Sequence, residues 1–416
     1  MLFLYDIALG LYGLLLRLAA PFVPKAAAWV AGRRGLLHHI ASTVGADPAP
    51  RVWFHCASLG EFEQGRPLLE AYRQAHPGTK LVLTFFSPSG YEIRQNWPGA
   101  DYIFYLPLDT RRNARAFLEA VQPQLVVFVK YEFWYHFLTE ARRRGIPAVV
   151  VSAIFRPDQV FFKPWGGFFR QILSRFSHIF TQNESSAALL RSAGLTKVSV
   201  AGDTRFDTVV ATAAAPPRNL PLVDAFVADG APVLVVGSSW PEDLPVLLPL
   251  LKRYHGKLRV LVAPHEVTET NLRLVETALP GQVQRYSAAD AASVAQARVL
   301  LFDNVGLLSQ LYRFGHYAYI GGAFGKGLHN TLEAAAFGLP LFFGPTYTKF
   351  QEAVELVALK CAFPVHNAAE MDRAFSYLWH DDAARLRLQD TVLDYVHGQA
   401  GATRTIMAAL PAPTLA

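Results

Sequence analysis

Short apolar runs recur along this chain from Arg51 onward, most of them followed by a segment of helix length. No other feature of the sequence constrains the fold as tightly. In the first half the runs fall at residues 52–56, 81–86, 101–106, 125–129, 148–151, 179–181 and 198–200. In the second half they fall at 233–236, 259–262, 298–302, 318–320 and 341–343. Strands that are apolar throughout are buried on both faces. Alternated with helices, they predict parallel βαβ units with right-handed crossovers, wound into open sheets covered on both sides. A chain of 416 residues exceeds one ordinary core and fits two such domains. The fold class is therefore read as α/β, with two Rossmann-like, doubly wound parallel-sheet domains. The first domain is placed at 35–210 and the second at 223–385. Between them, 211–222 is rich in alanine and proline and reads as a linker. The helical segment 386–416 is expected to cross back to the first domain.

The first 34 residues do not share this rhythm. Residues 1–30 are mostly apolar, interrupted by Asp6 and Arg17 and broken by Pro21 and Pro24. The apolar run between Asp6 and Arg17 is ten residues, short of the ~20 needed for a clean span. Lys25, Arg33 and Arg34 follow. The pattern suits an anchor lying in or dipping into a bilayer, with its basic flank on the cytoplasmic side. The alternative is a helix buried in protein. A net charge of +6 favours anionic partners. The Lys and Arg residues form no long block, so acidic lipid or sugar phosphate is expected and nucleic acid is not. Cys56 and Cys361 stand far apart and suggest neither a disulfide framework nor a zinc site.

Ligands of open parallel sheets bind beyond the carboxyl ends of the strands. In the first half those positions hold Ser58, Glu61, Ser87, Ser89, Glu132, Trp134 and Arg156. In the second they hold Ser238, Ser239, His265, Glu266, Lys326, His329, Asn330 and Glu333. Two such edges are expected to face each other across a cleft. Ser58-x-x-Glu61 has the spacing of a capping box, which gives Glu61 a purely structural reason to exist. Its place at a turn after the first strand also suits a base that takes a proton from a sugar hydroxyl. Both readings stand at this point. His55, inside an apolar run, reads as a core histidine.

The stretch 320–345 reads strand, glycine-rich loop, helix, strand. Gly321, Gly322, Gly325 and Gly327 lie within seven residues, a concentration that a closely approaching anion explains. Asn330 is placed as the cap of the following helix, and Glu333 suits a ribose hydroxyl pair. The loop is not a Walker A motif: Lys326 is followed by glycine rather than Ser or Thr. No cluster has metal-ligand spacing, and no cofactor is expected.

Five stretches recur here in the order seen in one family. They are His55-Cys56-Ala57-Ser58-Leu59-Gly60-Glu61, Lys130-Tyr131-Glu132-Phe133-Trp134, Gly202-Asp203-Thr204-Arg205-Phe206-Asp207 and Gly237-Ser238-Ser239-Trp240-Pro241-Glu242-Asp243. The fifth runs from Gly321-Gly322 to Gly327-x-His329-Asn330-x-x-Glu333. Over nearly the whole chain the sequence resembles the 3-deoxy-D-manno-octulosonic acid (Kdo) transferases of Gram-negative bacteria. The resemblance implies a GT-B glycosyltransferase at the cytoplasmic face of the inner membrane. It would carry Kdo from CMP-Kdo to the lipid A precursor (lipid IVA), with inversion and without a metal, in lipopolysaccharide core synthesis. Glu61 matches the family's general base. Asn330 and Glu333 match CMP-binding positions, and Glu132 matches an acidic position near Kdo or the acceptor. The donor side then comprises Ser238, Ser239, Pro264, His265, Gly322, Gly325, Lys326, Gly327, His329, Asn330 and Glu333. The acceptor or Kdo side comprises Ser58, Gly60, Ser89, Glu132, Trp134, Arg156 and Arg205. Two departures stand out. Ala263-Pro264-His265-Glu266 lacks the arginine the family usually carries before this histidine. Ser152-Ala153-Ile154-Phe155-Arg156 replaces an Asn-Ala-Arg-Leu-Ser stretch. The competing readings are a GT-B enzyme of another nucleotide sugar, such as a UDP-sugar transferase or epimerase, and a membrane-associated binding module without activity.

Overall fold

All strand pairs among the described residues are parallel. The computed structural model describes residues 1–45, 47–279, 283–325 and 327–411. The chain divides into two compact units. One comprises Met1–Thr208 with Gln399–Ala416, the other Val209–Gly398. The division falls inside a helix, Thr204–Ala214, so the stretch read as a linker begins helical; it also ends helical, at Pro221–Phe226. Helix Asp382–Gln399 lies almost wholly in the second unit, and the chain re-enters the first at Gln399.

In the first unit the strands are β1 (Arg51–Cys56), β2 (Lys80–Phe85), β3 (Tyr102–Tyr105), β4 (Leu125–Val129), β5 (Ala148–Ala153), β6 (His178–Thr181) and β7 (Val198–Val200). Their order is β3-β2-β1-β4-β5-β6-β7. The second unit holds β8 (Val233–Ser239), β9 (Arg259–Pro264), β10 (Val283–Arg285), β11 (Val299–Leu301), β12 (Tyr317–Ile320), β13 (Leu341–Phe343) and β14 (Ala362–Pro364), in the order β10-β11-β9-β8-β12-β13-β14. The expected doubly wound sheets are present. Two strands were not anticipated. β10 and β14 are three residues each and sit on sheet edges, where half-covered positions such as Gln284 and Arg285 carry no apolar signal.

The sheet of the first unit is buried on both faces. All six residues of β1 are buried, with Trp53 on one side and Phe54 on the other. Trp53 packs within 5.4 Å, ring centre to ring centre, of Phe117, Phe128 and Phe137. The winding direction reverses between β1 and β4, and in the second unit between β8 and β12. The loops after those strands diverge and leave a crevice.

Three helices precede β1: α1 (Leu2–Ala19), α2 (Pro24–Ala31) and α3 (Leu36–Val44). Burial in protein does not describe α1, in which Gly13 is the one buried residue. Its inner stripe is Tyr5, Leu9, Gly13 and Leu16; its outer stripe is Leu4, Ile7, Leu11, Leu14, Leu15 and Leu18, all exposed. Asp6, read as a break in an apolar run, turns inward to His136 Nε2 at 2.6 Å. Tyr5 donates to Asp109 Oδ2 at 2.5 Å. Asp109 also accepts the amides of His136 and Phe137, capping helix Tyr135–Arg143. Burial raises the Asp109 pKa, and these bonds partly offset the rise. Farther along, Tyr12 meets Phe86 and Trp29, and Gly13 lies against Leu108. The helix is thus held to the first unit along most of its length.

Helix α4 (Leu59–Ala75) follows β1 and receives the end of the chain, because helix Ala402–Ala409 packs on it. The motif from Gly202 to Asp207 explains how. Thr204 donates to the carbonyl of Gln64 in α4 and meets Ser152 Oγ at the end of β5. Asp207 accepts the amides of Gly401 and Thr403 at 2.5 and 2.7 Å, capping the returning helix. Charged caps of this kind are worth about 1–2 kcal/mol. Asp207→Ala is therefore expected to lower stability by about 2 kcal/mol in denaturant unfolding. Amide exchange should show 402–409 opening before α4; unchanged protection there would refute the cap.

Candidate active site

The reversal between β1 and β4 gathers the carboxylates of the first unit. β1 ends at Cys56, and Ser58 opens α4 in extended conformation (φ −141°, ψ 175°). Glu61 reaches back, so that its Oε2 accepts the Ser58 amide at 2.9 Å and the Ser58 hydroxyl at 3.2 Å. No hydrogen bond falls on Oε1 among the described residues. Burial raises the Glu61 pKa, as does the nearby Glu132 charge. His55, the Ser58 bond and Lys130 pull the other way. Gly60, in the same first turn, is exposed.

Glu132, after β4, is buried. Its Oε2 accepts Trp134 Nε1–H at 2.6 Å and lies 3.0 Å from His55 Nε2. His55 is fully buried in β1, and its Nδ1 lies 2.8 Å from Thr84 Oγ1 and 3.0 Å from the Thr84 carbonyl. Thr84, paired with His55 in register, also accepts Trp53 Nε1–H at 2.7 Å. The core histidine of the sequence reading is thus the partner of a site carboxylate. The signal for it was its place one residue from the end of β1, where side chains approach the crevice. Lys130 sits at φ 68°, and Ser152 and Ser238 at 53° and 52°. These are left-handed non-glycine residues at the ends of β4, β5 and β8, the kind of strain that gathers at functional edges.

Other residues predicted for this side are placed variously. Arg156 is exposed beyond β5; burial raises the pKa of the neighbouring Tyr131 hydroxyl, Arg156 pulls it down and Glu61 adds to the rise. Ser89 is exposed and bonded to Ser87, the cap of its short helix. The Arg205 side chain is held by Asp203 at 2.7–2.8 Å.

In the second unit Trp240, His265 and His329 form a ring stack after β8, β9 and β12. Trp240 and His265 are 4.8 Å apart, and His265 and His329 4.1 Å. The indole Nε1–H donates to His329 Nε2 at 2.8 Å. An indole nitrogen can only donate, so Nε2 carries the lone pair and the neutral ring holds its proton on Nδ1. Burial and the neighbouring His265 lower the His329 pKa to about 4. Asp243 accepts the Trp240 and Gly322 amides and the Tyr319 hydroxyl. Neither Trp240 nor Asp243 stood among the predicted site residues, although Trp240-x-x-Asp243 has capping-box spacing.

The glycine loop is closed by its own backbone. The amides of Gly325 and Gly327 both donate to the Gly322 carbonyl. A Cβ on Gly321 would meet the Ser238 carbonyl at 2.3 Å. One on Gly322, at φ 93°, would meet the Gly327 carbonyl at 2.4 Å. Packing therefore accounts for these two glycines. Gly325 is exposed, and Lys326 lies outside the described residues. The helix that follows is a single turn, Leu332–Ala335, with Thr331 rather than Asn330 at its cap. Asn330 Oδ1 accepts the Leu332 amide, and its Nδ2–H donates to Glu333 Oε1 at 3.0 Å. That pair fixes an exposed amide beside a half-buried carboxylate. Ser239 is buried and pairs in register with Pro264, while His265 is exposed.

A sequence model of the family described as "3-Deoxy-D-manno-octulosonic-acid transferase (kdotransferase)" matches residues 30–208. The 3-deoxy-D-manno-octulosonic acid transferase of Chlamydophila psittaci is 30% identical over 306 residues, covering 71% of this chain and 70% of that protein. The chain belongs to the Kdo transferase family. The Bordetella pertussis Kdo transferase is 27% identical over 394 residues, 87% of this chain and 88% of its own. Among solved structures, UDP-GlcNAc 2-epimerase from Neisseria meningitidis bound to UDP-GlcNAc superposes with a TM-score of 0.61 at 16% identity. It covers 86% of this chain and 98% of that one. With two parallel-sheet domains and such neighbours, this Kdo transferase has the GT-B fold, and it is a glycosyltransferase.

The ring stack makes a test of its own. A His329 pKa near 4, below the ordinary 6.5, means the folded protein binds fewer protons than the unfolded chain between those values. The stability gained is complete above about pH 6.5 and is lost as pH falls towards 4. Nitrogen NMR of this Kdo transferase should show His329 as the neutral Nδ1–H tautomer from pH 5.5 to 8. A titration near 6.5 would refute the geometry. His329→Phe should flatten that part of the stability profile.

Proposed function

We propose that this Kdo transferase moves Kdo from CMP-Kdo to a hydroxyl of a lipid A precursor (lipid IVA) in lipopolysaccharide synthesis, at the cytoplasmic face of the inner membrane. The observation that carries the reading is the division of labour in Glu61. Oε2 is committed to Ser58, which fixes the carboxylate, while Oε1 is left to accept a proton. Raised basicity through burial and the Glu132 charge suits a general base. Oε1 takes the proton of the acceptor hydroxyl. That oxygen bonds the Kdo anomeric carbon as the bond to the phosphate of CMP breaks, and a single displacement inverts the centre. Glu132, Trp134, Arg156 and Ser58 line the acceptor and Kdo side. Ser238, Ser239, His265, His329, Asn330 and Glu333 receive the nucleotide, with His329 offering a neutral N–H donor. The transfer uses no metal, and chelator should leave turnover unchanged.

The membrane reading rests on α1. Its outer stripe of leucines with Ile7 is exposed, and Phe3, Phe22 and Trp165 are 74%, 85% and 70% exposed. At 18 residues the helix is ~27 Å long, enough for a span by length. Contacts at Tyr5, Asp6, Tyr12 and Gly13 instead favour a helix lying in the interface plane with one face in lipid.

Full-length protein with CMP-Kdo and the lipid acceptor should release CMP and yield a Kdo-bearing lipid. Glu61→Gln should lower kcat by about 10²–10⁴-fold with the fold intact. Turnover of the parent enzyme should fall on acidification with an apparent pKa above the ordinary 4.5. Preference for UDP over CMP in calorimetry would overturn the donor assignment. Replacing Leu11, Leu15 and Leu18 together by Glu spares the inner stripe. It should weaken vesicle binding by about a hundredfold or more, given ~2 kcal/mol per buried leucine. Undiminished binding would move the anchor elsewhere.

A further inference from the structure

The loop 130–134, which carries Glu132 and Trp134, passes straight into helix Tyr135–Arg143. Trp134 stands at the cap position of that helix, and an indole has no acceptor to offer the first amides. The cap comes from elsewhere. The Tyr135 amide meets the Tyr5 hydroxyl at 3.4 Å, and the amides of His136 and Phe137 donate to Asp109 at 3.0 and 2.9 Å. Asp109 is buried, and Tyr5 in turn donates to its Oδ2 at 2.5 Å. Asp6 adds a contact to the His136 ring at 2.6 Å. The first three amides of the helix are thus capped by Tyr5 of α1 and by the carboxylate that Tyr5 holds. About two turns on, α1 reaches the same loop by a second route. The Tyr12 ring stacks on that of Phe86 at 6.1 Å, and Phe86 lies 5.0 Å from the ring of Trp134. Trp134 Nε1–H donates to Glu132 Oε2 at 2.6 Å. Arg33 pins the Phe86 carbonyl at 2.8 Å.

We propose that Tyr5 and Tyr12 are positioning residues for the transfer reaction: with α1 docked, they hold the loop 130–134 so that Trp134 keeps Glu132 in place beside His55. This rests on the placing of Glu132 and Trp134 in the site in the preceding section. Attachment of α1 alone does not call for such contacts. An apolar stripe is enough to dock a helix, and Leu9, Gly13 and Leu16 supply one. Burying the Asp109 carboxylate costs free energy, and its bonds are spent on the start of the helix that follows the loop. The loop also needs outside support. Lys130 opens it at φ 68°, a left-handed conformation that persists where the surroundings hold it. The two faces of α1 then have separate tasks. The outer stripe meets lipid, and the inner residues set the site. Lifting α1 away leaves the helix start uncapped and the indole unsupported, so turnover falls even where the acceptor can be reached without a bilayer.

The test compares full-length parent, Tyr5→Phe and Tyr12→Leu enzymes with CMP-Kdo and the lipid acceptor dispersed in detergent. Tyr5→Phe deletes one oxygen and leaves the ring. It should lower kcat by about fivefold or more with KM changed by less than about twofold, because small misplacements within a site cost rate. Tyr12→Leu should lower kcat in the same way. In nitrogen NMR the Trp134 indole N–H, assigned by its absence in Trp134→Phe, should shift or broaden in both variants. Vesicle binding of Tyr5→Phe should match that of the parent. A role in anchoring or stability alone gives the opposite pattern: weaker vesicle binding or an earlier unfolding midpoint, with parental kcat and an unmoved indole. That pattern overturns the proposal. Should Tyr5→Phe fail to fold, Tyr12→Leu decides, because its route runs through Phe86 and not through the helix cap. If Glu132→Gln turns over like the parent, the placing of Glu132 in the site fails by itself. The indole resonance then still decides whether α1 sets the loop.

Discussion

At each reversal of sheet direction a buried carboxylate fastens two strand ends that would otherwise splay. In the first unit Glu132, from the β4 side, accepts from His55 of β1 and from Trp134. In the second, Asp243, from the β8 side, accepts the hydroxyl of Tyr319 in β12 and the amide of Gly322 just beyond it. The diverging loops give the fold its crevice and also leave strand-end polar groups without ladder partners. A carboxylate can meet two or three of these at once. Burying it raises its pKa, visible for Asp243 and, through Glu132, for Glu61. Those contacts hold the candidate site rigid and supply the field in which it works.

The first of these fastenings is layered. Trp53 holds Thr84, Thr84 meets Nδ1 of His55, and Nε2 of His55 faces Glu132. A carboxylate oxygen accepts, so Nε2 must carry the proton in this contact. The Thr84 hydroxyl, which can donate or accept, satisfies Nδ1 in either state. The chain of contacts starts in the aromatic core of the first unit and ends beside the proposed base. Packing at Trp53 therefore sets the position of a charge about two residue layers away, as buried polar networks do when every member is satisfied.

Much of this was legible in the sequence because one physical rule governed it. Doubly buried strands must be apolar throughout, so the inner strands could be read off, and the edge strands β3 and β7 kept enough apolar residues to be read with them; β10 and β14, three residues each at the edges of the second sheet, left no mark. The capping spacing of Ser58 and Glu61 was legible too, since that contact is local. Contacts distant in sequence were not. Asp6 looked like a flaw in an apolar run because its partner His136 is 130 residues away. The loop glycines invited a ligand explanation. For Gly321 and Gly322 the reason is contact with Ser238 and Gly327. Asn330 stands one residue before the cap position, yet its Oδ1 still accepts the first amide of the helix while its Nδ2–H holds Glu333, beside a one-turn helix too short to offer much dipole.

The two readings of Glu61 that the sequence left open are not rivals. A capping glutamate and a catalytic one make different demands, but on different oxygens. The cap needs one acceptor aimed at the Ser58 amide; proton abstraction needs a second lone pair facing outward at fixed geometry. Tying Oε2 to the backbone removes the rotamer freedom that would blur Oε1, so the structural bond improves the chemical one. It also exacts a cost in basicity, because accepting the Ser58 bond pulls the pKa down. Burial and the Glu132 charge work against that loss. Glu132 keeps its place because His55 and Trp134 hold it, and so the base depends on the fastening of β1 to β4.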